Sequence, residues 1–79
     1  MKRRQPACRV KVRPSAVWER LNRLNVTQNQ LATMVGITSG YLSQLITGTR
    51  SPSAEVRKRL QETLEIPIFD DLFVLEVVE

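Results

Sequence analysis

The stretch TQNQLATMVGITSGYLSQLITG, residues 27–48, limits this chain's fold more than any other. Apolar residues recur at helical spacing on both sides of one glycine: Leu31, Ala32 and Val35 before Gly36, then Tyr41, Leu42 and Leu45 after it. Steps of three and four place each set on one side of a short helix. Thr27 and Thr38 stand where a hydroxyl can accept from the unpaired N–H groups of a first helical turn. Gly36 and Gly48 stand where the helices must stop, because helix C-termini favour left-handed backbone. Two short helices so close in sequence cross steeply. Such a crossing needs a small residue where the backbones meet (Ala32) and apolar pins behind the second helix (Ile37, Leu42, Leu45). Leu31 and Val35 complete the contact from the first.

That pair is too small to fold alone, so the flanks must supply the rest of a core. Pro14 and Ser15 open a preceding helix, with Val17, Trp18, Leu21 and Leu24 as its apolar side and Trp18 expected in the core. Asn25-Val26 closes it. After the loop GTRSP (48–52), Ser53 caps a fourth helix whose stripe is Val56, Leu60 and Leu64. Arg57, Lys58 and Arg59 lie off that stripe, equally suited to a solvated face and to a polyanion. Pro67 breaks the chain, and residues 68–72 fit one short helical turn.

The two ends read differently. CRVKVR, residues 8–13, alternates apolar with cationic, the period of a half-buried strand, and FVLEVVE is rich in β-formers. If the ends pair antiparallel, Val10 and Val12 face the core with Val74, Val77 or Val78, and Arg or Lys opposes Glu76 or Glu79. Pairing within one chain fastens its ends together; pairing between chains makes a homodimer. A two-stranded ribbon is marginal alone, so it must pack on the first or fourth helix. Residues 1–7 read as a flexible basic arm, and residues 8–79 as one domain around the 27–48 unit.

Composition narrows the function. With no histidine and only Cys8, imidazole–thiolate metal sites and Ser-His or Cys-His nucleophile pairs are excluded. No enzyme and no cofactor are expected. Cys8 reads as a small apolar strand residue, compatible with a reducing cytoplasm. No apolar run approaches the roughly 20 residues of a membrane helix, so no membrane partner is expected. The net charge is +4. Residues 1–13 hold six cations and no anion, residues 62–79 six anions and no cation, so the excess belongs to the middle of the chain. A basic centre favours a polyanionic partner. Lys2, Arg3 and Arg4 suit a solubilising tail and a minor-groove arm about equally.

The run TQNQLATMVGITSGYLSQLITGTRSPS, followed by VRKRL, resembles the Cro/C1-type (Xre family) helix-turn-helix domains of phage and bacterial repressors. The likeness spans about residues 14–66, and the two ends resemble those of very small bacterial regulators in the same family. The resemblance implies an all-α bundle of four to five helices, lambda-repressor-like, to which the pattern of the two ends would add a short two-stranded antiparallel ribbon joining the termini. It implies a cytoplasmic regulator of repressor type that binds double-stranded DNA, with the recognition helix (38–47) in the major groove. Ser39, Gly40, Ser43 and Gln44 would then face the bases. Thr27, Gln28, Thr47, Thr49 and Arg50 would meet phosphates. Gly40 stands where the family often has a longer reading side chain; it either lets DNA approach closely or reads nothing. The second is preferred, which rests specificity on Gln44 and the two serines. An antitoxin that holds a protein partner with one end, and an interaction adaptor without DNA contacts, are the alternatives.

Overall fold

The structure, a computed structural model, describes residues 7–78. In order these form β1 (Ala7–Val12), α1 (Pro14–Leu24), α2 (Gln28–Val35), α3 (Ser39–Thr47), α4 (Ala54–Leu64), α5 (Phe69–Leu72) and β2 (Phe73–Val78). The basic residues 1–6 and Glu79 lie outside the described residues; Ala7 already belongs to β1.

Local chemistry sets the helix ends. Pro14 occupies the first position of α1, where its fixed φ suits the turn and its missing N–H would have had no partner. The Thr27 hydroxyl accepts from the Gln30 N–H at 3.1 Å, while the Gln30 side-chain oxygen accepts from the Thr27 N–H at 2.8 Å. This reciprocal pair satisfies two donors that a bare helix start would leave unpaired. Ser53 caps α4 through the Val56 N–H. Gly36 ends α2 at φ 83°, a conformation that costs a residue with a Cβ.

The helices enclose one core. Val17 and Leu21 from α1, Leu31, Ala32 and Val35 from α2, and Leu42, Leu45 and Ile46 from α3 are all buried, as are Val56, Leu60 and Leu64 from α4. Ile37 packs against them from the turn. Trp18, however, is 52% exposed. The buried stripe of α1 runs through Val17 and Leu21, four residues apart, and position 18 lies about 100° round the helix from position 17. An i, i+1 pair therefore left Trp18 on the flank rather than in the core.

Three arginines reach carbonyls of distant elements, two of them, Arg59 and Arg20, at the last residue of a helix. Arg59 Nη1 donates to the Val35 carbonyl (3.3 Å), Arg20 Nε to the Leu64 carbonyl (2.8 Å) and Arg13 Nε to the Asp70 carbonyl (2.8 Å). The last carbonyls of a helix have no partner within it and carry its negative dipole end, so a cationic donor there is doubly favourable.

The ends pair within the chain as an antiparallel ribbon, Cys8 opposite Val77, Arg9 opposite Glu76, Val10 opposite Leu75, Lys11 opposite Val74 and Val12 opposite Phe73. Lys11 Nζ lies 3.7 Å from Glu76 Oε1. The face that meets the core is Val12, Val10 and Phe73 rather than a set containing Val74 or Val77. Val74 stands opposite Lys11 on the other face, and Val77 is 60% exposed. The side chain of Val78 lies outside the described residues. The register decides this, because a strand's period of two puts Phe73 and Val74 on opposite faces. β1 packs on α3 and β2 on α5, and Val10, Val12 and Phe73 join the core that α1 and α4 also line.

Candidate nucleic-acid interface

α3 has one buried side and one open side. Leu42, Leu45 and Ile46 are buried, while Ser39, Gly40, Ser43, Gln44 and Thr47 are all exposed. Positions 39 and 40, 43 and 44, and 47 succeed one another at four-residue steps, so the open residues form a strip along the helix. The Thr38 hydroxyl accepts from the Tyr41 N–H (3.1 Å) and fixes the start of the helix. Among the described residues, no hydrogen bond of the chain engages the side chains of Ser39, Ser43 or Gln44. Their donors and acceptors are available to a partner.

Gly40 has no packing reason. A Cβ built there meets nothing within 4 Å, and its backbone is not left-handed. The fold would accept a side chain, and a mid-helix glycine costs about 1 kcal/mol relative to alanine. Only a body approaching α3 would feel the missing side chain.

The other predicted site residues lie in two stretches, one before and one after α3 in the chain. The first is the α2 start, where Thr27 is exposed and Gln28 half-buried. A helix start offers N–H groups and a positive dipole end, both suited to an anion. Beyond the end of α3, the chain folds back on itself: the Gln44 carbonyl accepts from the N–H of Thr49 (3.0 Å) and Arg50 (3.2 Å). The Thr47 and Thr49 hydroxyls lie 3.2 Å apart, and Thr47 also donates to the Gln44 carbonyl (3.3 Å). This turn brings the Arg50 guanidinium over the Tyr41 ring, 5.6 Å from its centroid. A cation is attracted to an aromatic face, so Tyr41 both packs its ring on the core and restrains Arg50 beside α3. Helical spacing marks Tyr41 as a core residue but carries no sign of the stack, because the two residues meet only through the turn at Gly48.

The cationic surface is smaller than the composition suggested. Arg20 and Arg59 are occupied with carbonyls, and with Glu65 (3.9 Å) and Glu55 (2.6 Å) respectively; Arg23 pairs with Glu19 at 3.2 Å. Arg57 Nε bonds its own helix start, the Ser53 carbonyl, at 3.4 Å. Arg50 and Lys58 are exposed, and no acidic side chain pairs with either among the described residues. No three His, Cys, Asp or Glu side chains gather among the described residues. No helix among them is long and apolar enough to cross a membrane.

A family model described as helix-turn-helix matches residues 18–70. The structure is similar to the crystal structure of a transcriptional regulator, VanUg, with a TM-score of 0.66 and 16% sequence identity, covering 96% of this chain and 99% of that one. At that identity the likeness is one of fold. No curated protein matches the sequence. The family match covers the capped helix pair, its glycine turn and the α4 that braces it, and the chain belongs to the Cro/C1-type helix-turn-helix family.

Proposed function

We propose that this protein is a sequence-specific, double-stranded-DNA-binding transcriptional regulator of repressor type, with α3 lying in the major groove. One observation carries the reading: the strip of Ser39, Ser43 and Gln44 is open and uncommitted on a helix whose opposite side is buried. The Gln44 carboxamide can donate to adenine N7 and accept from adenine N6 together, and the two serines can donate or accept at neighbouring base edges. Gly40 carries no side chain to read a base, so specificity rests on Gln44 and the two serines. Thr27 and Gln28 at the start of α2, and Thr47, Thr49 and Arg50 beyond α3, hold phosphates on the two sides of the groove. These contacts position the helix; the strip reads the sequence.

The test is selection of duplex from a random pool, followed by binding titrations on the enriched site. Gln44→Ala is expected to lose about 1–3 kcal/mol and to relax preference at one base pair. Arg50→Ala is expected to weaken all sequences alike and to reduce the slope of log affinity against log salt by about one. A pool without enrichment, or an unchanged base preference in Gln44→Ala, overturns the assignment.

A further inference from the structure

Arginines of this chain are held in two different ways. Arg13, Arg20, Arg23, Arg57 and Arg59 each give an N–H to an oxygen of the chain itself, a carbonyl or a carboxylate. Arg50 gives none from its side chain among the described residues; its guanidinium carbon lies over the Tyr41 ring, 5.6 Å from the centroid. An oxygen partner holds an arginine by occupying its donors and, where it is a carboxylate, by neutralising its charge. An aromatic face attracts the cation through the ring quadrupole and leaves the N–H groups of the fork open. The backbone of residue 50 is fixed as well, since its N–H donates to the Gln44 carbonyl (3.2 Å) beside that of Thr49 (3.0 Å). Tyr41 is half-buried and packs on the core, so the ring is itself held. Both anchors, Tyr41 and Gln44, belong to α3, which ties the place of Arg50 to that helix and its open strip.

We propose that Tyr41 is a positioning residue for DNA binding: its ring holds the Arg50 guanidinium, donors open, where a backbone phosphate meets it. The inference rests on the proposed DNA binding and gives a role to a side chain that reads no base. Ordering a long, freely rotating side chain at an interface weakens a complex by about two- to tenfold. In this chain folding has already placed the guanidinium, so that loss is avoided when DNA arrives. Tyr41 acts by geometry and carries no charge, so it sets affinity without setting salt dependence. Arg50 sets both, because its cation displaces counterions from the duplex. A phosphate taken by Arg50 is also held at a fixed place relative to α3, which keeps the strip in register with the base edges.

A double-mutant cycle on duplex DNA tests this, with Tyr41→Leu, Arg50→Ala and the two combined, each checked for folding by circular dichroism. Any duplex serves, since phosphate contacts carry no sequence information. Tyr41→Leu is expected to weaken binding about two- to tenfold, with the slope of log affinity against log salt unchanged. In the Arg50→Ala background the same change should weaken binding no further. Tyr41→Phe keeps the ring and should match the unaltered chain; should Tyr41→Leu not fold, Tyr41→Met replaces it. An equal loss in both backgrounds would make Tyr41 a core residue only. An equal loss in Tyr41→Phe would make its hydroxyl the phosphate ligand. Either result overturns the proposal. The contact is also read without DNA and without a variant: by NMR, the Arg50 side-chain protons should lie upfield of their positions in the urea-unfolded chain. Unshifted resonances overturn the proposal as well. Binding without sequence preference, but with the expected coupling, would remove the sequence-specific reading and leave the role of Tyr41 in place. A chain that binds no duplex would remove both, and uncoupled losses in a chain that binds would remove the role of Tyr41 alone.

Discussion

The helix pair α2–α3 and the terminal ribbon are both amphipathic, but they are held by different physics. In the pair, the devices that set the helix ends act mostly within a few residues: Thr27 reaches Gln30, Thr38 reaches Tyr41, and Gly36 turns the chain where it stands, with Arg59 the distant exception at the Val35 carbonyl. Its inward apolar residues are buried almost without remainder. In the ribbon, partners come from opposite ends of the chain, and cover fades from Phe73 at the root to Val77 at the tip. Locally encoded structure presents the surface that, in the proposed function, must be rigid to read bases. The long-range pairing closes the chain and leaves an apolar overhang. Preorganisation is needed at the first and not at the second, since binding geometry must be held to within about half an ångström by supporting side chains.

Substitutions can break or sharpen this contrast. The largest effect is expected at the ribbon root: Phe73→Ala should lower unfolding free energy by about 3–5 kcal/mol. Phe73 is fully buried and lies 5.1 Å, centroid to centroid, from Phe69. Urea titration measures this, and a loss below about 1 kcal/mol would mean that root and tip do not differ. Next comes the turn, where Gly36→Ala should cost about 1–2 kcal/mol by the same measurement. Its φ is 83°, and an added Cβ would stand 3.4 Å from Arg59 Nη1, an ordinary contact with the end of a flexible side chain, so the cost is that of the left-handed backbone. A neutral result would show that the end of α2 is not fixed by this backbone geometry. The smallest effect is expected two residues beyond Phe73 on the same face: Leu75→Thr should change the stability of the dilute chain by no more than about 0.5 kcal/mol. A loss comparable to that of Phe73→Ala would place the tip within the core.

Much of the helix pair was legible because its signals are short-range. A threonine three residues ahead of an N–H, or a glycine at a helix end, needs no knowledge of the rest of the molecule. The three caps Thr27, Thr38 and Ser53 and the left-handed turn at Gly36 were found on that basis. The exposure of Ser39, Ser43 and Gln44 follows from the same periodicity that buries Leu42 and Leu45. Trp18 was misread because apolar character at i and i+1 does not say which of two neighbours faces inward. For β2, alternation leaves two inward phases open, and only pairing with β1 selects Phe73 over Val74; Val77 shares that phase but lies beyond the core's cover. The roles of Arg13, Arg20 and Arg59 had no local signal, since each meets a carbonyl from 24 to 57 residues away.

The sequence by itself determined where helices start and stop, which residues of α3 turn inward, and that neither imidazole nor a thiol pair is available for chemistry. These depend on spacing, capping and composition, all of which act over one or two turns. Only the tertiary structure decided which arginines keep their charge available, that Arg50 is restrained over Tyr41, and where along the ribbon the apolar cover ends. Those outcomes depend on the register between strands and on carbonyls delivered by distant helices. Contacts of that kind exist only after the chain has closed on itself.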